Sequence, residues 1–216
     1  MCFKITIQTI SWIKKEIKSD KALVINELRI GKAIADLAVF NGKSKAFEIK
    51  TVLDKEYRLS GQLKEYKKVF NEVYLIIPQS QLSKYIDYDK DVGVISYDLN
   101  SKEFLLEKYP ITNINIDIDT IMEVLHTKEY LQICKDFYGK VPNMNASNQF
   151  VISKSLISKI PNKDLNTLFI STIKKRKVNN AFFNKINKEF NQICLSLNLN
   201  RTDRDKLIEK LKSNTY

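Results

Sequence analysis

Between residues 23 and 78 the hydrophobic period of the chain changes from two to three-or-four and back, and that order of periods leaves few folds open. Residues 23–28 form a short apolar run suited to a strand, stopped by Gly31-Lys32. Residues 33–40 read as a second strand, Asn41-Gly42-Lys43-Ser44 as a turn, and residues 45–52 as a third strand. Leu59, Leu63, Tyr66 and Phe70 then recur at helical spacing with Lys64, Lys67 and Lys68 between them. Residues 72–77 are a β-branched apolar run ended by Pro78. A strand, a helix and a strand this close together form a crossover unit, which sets its two strands parallel in one sheet. Residues 92–97 and 103–107, around Asp98-Leu99-Asn100-Ser101, predict a closing hairpin. The expected fold is α/β, a mixed β-sheet core flanked by helices.

After Pro110 the character turns helical. Residues 117–138, 165–177, 181–197 and 202–212 carry helical patterns, the last with Thr202 as its N-cap, and residues 143–149 read as a polar loop. Asp117 and Asp119, just before a helix, read as cap and dipole partners. An amphipathic helix is predicted over residues 5–19, with Ile10, Ile13 and Ile17 on one face. The expectation is an α/β domain over residues 1–112 and a basic all-α domain over residues 113–216.

Thirty-six Lys and Arg against 25 Asp and Glu give a net charge of +11 and a pI near 9.4. That balance favours a polyanionic partner, nucleic acid first. No apolar run is long enough for a membrane span and no signal peptide is recognisable, so a cytoplasmic protein without a membrane partner is expected. Three scattered cysteines (Cys2, Cys134, Cys194) exclude a disulfide framework or a four-thiolate site within the chain. The single histidine, His126, excludes chemistry that needs a histidine pair.

The chemistry-bearing residues lie on the strand, strand, helix segment. With a two-residue Gly31-Lys32 turn of type II′, Glu27 falls opposite Asp36. Asp36 falls opposite Glu48 only if the second connection holds an odd number of residues, as Asn41-Gly42-Lys43 does; an Asn41-Gly42 loop would turn Glu48 to the other face. Two carboxylates this close repel by on the order of 4 kcal/mol at an effective dielectric of about 20, so the pair wants a cation. Mg²⁺ or Mn²⁺, held by Asp36, Glu48 and the Ile49 carbonyl, fits that need. Lys50, two residues past Glu48 on the same face, is placed to orient or deprotonate water or to stabilise the transition state. Gln62 and Tyr66, four apart on the helix, share one face toward the mouth of the same site.

In this order Glu27, Asp36, Glu48-Ile49-Lys50, Gln62 and Tyr66 resemble the PD-(D/E)xK nuclease superfamily, and especially its RecB-like branch, whose motif ends in Gln, three residues, Tyr. The resemblance covers about residues 20–78, with Ala35 standing where the name-giving proline would be. It implies a restriction-endonuclease-like core and a metal-dependent nuclease acting on phosphodiester bonds, with DNA ahead of RNA. It assigns metal binding to Asp36 and Glu48, catalysis to Lys50, assistance of the metal or its water to Glu27, and substrate contact to Gln62 and Tyr66. A strand-edge ion pair with Arg29 or Lys32 is the ordinary alternative for Glu27. Arg58 could reach a phosphate or pair with Asp54, and Lys174-Lys175-Arg176-Lys177 could grip nucleic acid or end a solvated helix. The basic helical tail would hold nucleic acid or a second subunit in a homodimer. The rival expectation is a non-catalytic nucleic-acid-binding or assembly module on a nuclease-like fold.

Overall fold

The computed structural model describes residues 9, 12–13, 22–54, 56–98, 100–101, 103–141, 144–176, 199–200, 202–203 and 206. The chain divides into two compact units, Met1–Lys18 with Lys177–Tyr216, and Ser19–Arg176. In the first unit Thr9, Trp12 and Ile13 are helical, as are Thr202, Asp203 and Lys206. Asn200 Oδ1 accepts the Asp203 N–H at 2.9 Å, so Asn200 caps that turn and Thr202 lies inside it. The helix expected over residues 181–197 lies outside the described residues, as do Cys2, Cys194 and most of the helices expected over 5–19 and 202–212.

The second unit is a mixed α/β structure on a six-stranded sheet in the order β1-β2-β3-β4-β5-β6. The strands are β1 (Leu23–Ile30), β2 (Ala33–Asn41), β3 (Lys43–Ile49), β4 (Glu72–Pro78), β5 (Gly93–Asp98) and β6 (Glu103–Lys108). The first three run antiparallel. β3 and β4 run parallel across the crossover helix α1 (Leu59–Lys67), as the change of period predicts. β5 joins parallel to β4 after a short helix α2 (Leu82–Tyr85), and β6 closes the hairpin antiparallel. Gly93 opens β5 because a side chain there would meet the Tyr74 ring at 2.7 Å and Pro110 at 2.9 Å.

Both turns that fix the register depend on glycine. Ile30 pairs with Ala33 around Gly31-Lys32, and of the two central residues Gly31 alone has positive φ, at 53°, as a type II′ turn requires. Asn41 pairs with Lys43 around Gly42, at φ 72°, giving the odd-numbered connection that Asp36 and Glu48 need. One step beyond the Leu37↔Phe47 pair, the same register sets Asp36 across from Glu48.

The helical half packs on this sheet. Phe40 of β2 meets Phe70, past the end of α1, at 6.1 Å and Phe169 of α6 (Asn162–Lys174) at 6.0 Å. Buried Asn71 accepts from the Ser44 N–H and donates to the Asn113 carbonyl and Asn166 Oδ1, joining β3, the segment after β6, and α6. The change of character near Pro110 is therefore a change from strand to helix within one compact unit, Ser19–Arg176. Residues 117–138 form two helices, α3 (Ile118–Val124) and α4 (Thr127–Tyr138). The break falls at His126, whose N–H is taken by Glu129 Oε2 at 2.7 Å. Asp117 accepts from the Thr120 hydroxyl at 2.5 Å and caps α3 through the Thr120 N–H at 2.8 Å, and these two hydrogen bonds hold its carboxyl below the usual range. Helix α5 (Gln149–Ile157) has no counterpart in the sequence reading.

Candidate functional site

β2 and β3 part company at Asp36. Its Oδ2 takes the Ile49 N–H at 2.7 Å, so a side chain closes the ladder where a backbone carbonyl otherwise would. Lys50 turns its own N–H to the Ile76 carbonyl of β4 at 2.8 Å, and the Tyr97 hydroxyl of β5 donates to the Lys50 carbonyl at 3.1 Å. The backbone around Glu48-Ile49-Lys50 is thus held from both sides.

Glu48 is 3% exposed and is met by three side chains. Its Oε1 accepts from Lys50 Nζ at 2.8 Å and Gln62 Nε2 at 2.8 Å, while Oε2 lies 2.7 Å from the Tyr66 hydroxyl. Gln62 Oε1 also accepts from Lys50 Nζ at 3.2 Å, so one amide braces both members of the ion pair. The Tyr66 hydroxyl lies 2.6 Å from the Ile34 carbonyl as well, and its single proton serves one acceptor at a time. Gln62 and Tyr66 sit one turn apart on α1, which is how an apolar helix face carries two polar groups without leaving them unpaired.

The charge balance is uneven. Asp36 has its pKa pushed up to about 7 by burial first and the neighbouring Glu48 charge second, with Asp54 adding to both; the Ile49 N–H and Lys50 oppose them and lose. Burial and the same Glu48 charge push the Tyr66 phenol well above its ordinary range. Two carboxylates face one ammonium.

The structure brings Asp36, Glu48, Lys50, Gln62 and Tyr66 together and leaves the other expected site residues apart. Glu27 stands opposite Asp36 in register, but the ladder skips that pair; Glu27 has φ 50° and an exposed side chain. Among the described residues no group of three or more His, Cys, Asp or Glu is placed to hold a metal. A cation here would rest on two carboxylates, with backbone, water and substrate completing its shell, which Mg²⁺ accepts. Arg58 lies over the Tyr57 ring at 5.1 Å, and Asp54 accepts the Thr51 N–H at 2.6 Å, so the Asp54–Arg58 ion pair does not form. Arg176 is not free for nucleic acid: its guanidinium holds both Glu129 oxygens, at 2.6 and 2.7 Å, and the Val124 carbonyl at 2.7 Å. Burial pushes the Glu129 carboxyl up, but the Arg176 hydrogen bonds outweigh it and leave it below the usual range. Lys175 faces Asp136 at 3.7 Å, Lys174 is half-buried, and Lys177 lies outside the described residues.

Sequence reasoning missed the Ile34 carbonyl and Tyr97, and read Asp54 as a partner for Arg58 and not as the acceptor of the Thr51 N–H. Asp54 was visible as an Asp three residues after Thr51 at a strand end, a turn-forming spacing. Tyr97 carried no local signal, because its reach depends on β5 joining the sheet parallel to β4.

A family model described as Bacteriophage P4 protein cII matches residues 3–199. Protein cII of Enterobacteria phage P4 is 36% identical over 103 residues, covering 45% of this chain and 38% of that protein. The match therefore spans well under half the length of this curated relative. A solved structure of a protein of unknown function from Silicibacter pomeroyi aligns with a TM-score of 0.39 at 10% identity, covering 61% of this chain and 92% of the other.

Proposed function

The chain belongs to the Bacteriophage P4 protein cII family, and from its acid–lysine cluster we propose that it is a Mg²⁺- or Mn²⁺-dependent nuclease that hydrolyses phosphodiester bonds, with DNA ahead of RNA. The observation that carries the reading is that Lys50, Gln62 and Tyr66 all hydrogen-bond to Glu48, while Asp36, across from Glu48 at the parting of β2 and β3, holds the Ile49 N–H. The same residues, in the same order, resemble the PD-(D/E)xK superfamily, and the mixed sheet with its parallel crossover is compatible with a restriction-endonuclease-like core.

The donor set fits a divalent ion. Asp36 uses Oδ2 for the Ile49 N–H and no donor among the described residues meets Oδ1; burial first and the Glu48 charge second hold its pKa up, a cost that a cation between the two carboxylates would offset. Asp36, Glu48 and the Ile49 carbonyl would hold the ion, which supplies acidified water and neutralises charge on the scissile phosphate. Lys50 presents its ammonium beside Glu48, where it can orient the attacking water and offset charge on the phosphoryl oxygens. Gln62 fixes the Lys50 rotamer, and Tyr66 locks Glu48 against β2. The partner is nucleic acid in a cytoplasm, with the basic helical tail as a second contact or a homodimer surface. No helix among the described residues is long and apolar enough to cross a membrane.

A second reading, a nucleic-acid-binding or assembly module, is favoured by one observation: both Glu48 oxygens already have protein partners. Incubating the protein with plasmid, linear and single-stranded DNA, and with RNA, in Mg²⁺, Mn²⁺ or EDTA separates the two. Cleavage that needs the metal and is lost in Asp36→Ala and Lys50→Ala supports the nuclease. Cleavage persisting in EDTA or in both variants overturns the metal mechanism, and no cleavage by the folded protein on any substrate favours the module.

A further inference from the structure

The segment between Lys50 and α1 holds large apolar side chains out in water at the rim of the acid–lysine cluster. Leu53 is 78% exposed, Tyr57 71% and Val52 51%. A loose loop would fold such side chains away, but this one is pinned. Asp54 takes the Thr51 N–H at 2.6 Å while the Asp54 N–H reaches the Thr51 carbonyl at 3.2 Å. Glu56 is paired to Lys84 on α2. The loop also lies close to the chemistry, since the Asp54 charge is felt by Asp36. Arg58 sits over Tyr57 at 5.1 Å, and a single guanidinium covers one face of a ring, leaving the exposed other face open.

We propose that Leu53, Tyr57 and Arg58 form a base-stacking platform that admits unpaired nucleotides of single-stranded nucleic acid to the site. The inference rests on the nuclease reading for the chemistry beside it. An aromatic face backed by a guanidinium stacks any base and attracts the adjoining phosphate, and an exposed leucine packs on bases already unstacked, whereas a duplex admits such a wedge only by unstacking and kinking a base step. Pinning the loop at both ends lowers the ordering cost of binding.

The test uses the full chain carrying Asp36→Asn, in EDTA, so that binding is read without cleavage. Fluorescence anisotropy compares a labelled oligo-dT with a duplex of equal length, before and after adding Tyr57→Ala, Tyr57→Trp or Leu53→Ser. The expected result is tighter binding of the single strand, weakened on the order of 5- to 100-fold by Tyr57→Ala, with Tyr57→Trp retaining it and duplex binding unchanged. Equal losses on both probes, or no loss with Tyr57→Ala, overturn the platform. So does Leu53-dependent binding of anionic phosphatidylglycerol vesicles without selective single-strand binding. A parallel cleavage assay on Asp36-intact protein keeps the two claims apart. Selective Tyr57-dependent binding without cleavage retains the platform and removes the nuclease; cleavage indifferent to Tyr57→Ala does the reverse.

Discussion

Asp36 carries the clearest chemical signature in the molecule. Its folded pKa of about 7 stands above the ordinary 3.8, so the folded chain keeps a proton that the unfolded chain releases. The stability this group contributes is full below about pH 4 and is lost as pH rises through 7, by up to about 4 kcal/mol. Urea unfolding in EDTA across that range should show the decline, and Asp36→Asn, which keeps an acceptor for the Ile49 N–H, should flatten it. A wild-type profile that rises with pH through this window would contradict the crowding of half-buried Asp36 against buried Glu48. Tyr66→Phe removes the hydroxyl from Glu48 and Ile34 and should cost about 1–3 kcal/mol in the same unfolding measurement. Lys50→Ala should lower the cleavage rate by about 10²–10⁴-fold while the circular dichroism spectrum stays that of the wild type.

The β2–β3 hairpin decides whether Asp36 and Glu48 meet; the β1–β2 register was legible in the residues, but those of the second connection left two parities open. Gly42 at the centre of the second turn fixes the parity that puts Asp36 across from Glu48, while Gly31 at the first turn sets Glu27 against Asp36. The same pattern did not foretell the kink at Glu27, because a left-handed residue inside a strand leaves no mark on hydrophobic alternation. Holding a non-glycine there costs about 1–2 kcal/mol, so Glu27→Gly should raise the thermal midpoint, and a lowered midpoint would show that Glu27 makes contacts worth more than the strain. The break between α3 and α4 went unread for a different reason. His126 is an uncommon cap, and the signal lay in Glu129 reaching back to its N–H. Glu129 also receives Arg176, which looked from sequence like part of a basic run. Arg176→Ala strands a part-buried carboxylate and the Val124 carbonyl; it should cost about 2–4 kcal/mol of stability and leave oligonucleotide affinity unchanged.

At the scale of the whole molecule, the sheet and helices α3 to α6 act as one packed unit, with Phe40, Phe70 and Phe169 in contact and Asn71 joining segments far apart in sequence. Composition showed the basic excess and the turn toward helix after Pro110, but the docking of α6 on β2 depends on long-range packing that no local period encodes. The cluster therefore sits on a rigid scaffold of strands and a packed helix, which holds a binding geometry better than loops do. The central claim is that the Asp36–Glu48 pair is built for a divalent cation. Titrating the protein with Mn²⁺ and following the electron paramagnetic resonance signal of the free ion tests it most directly. The expected result is one Mn²⁺ bound per chain in the wild type and none at the same concentrations in a folded Asp36→Asn variant. Equal binding by both proteins, or no binding by the wild type, would contradict it.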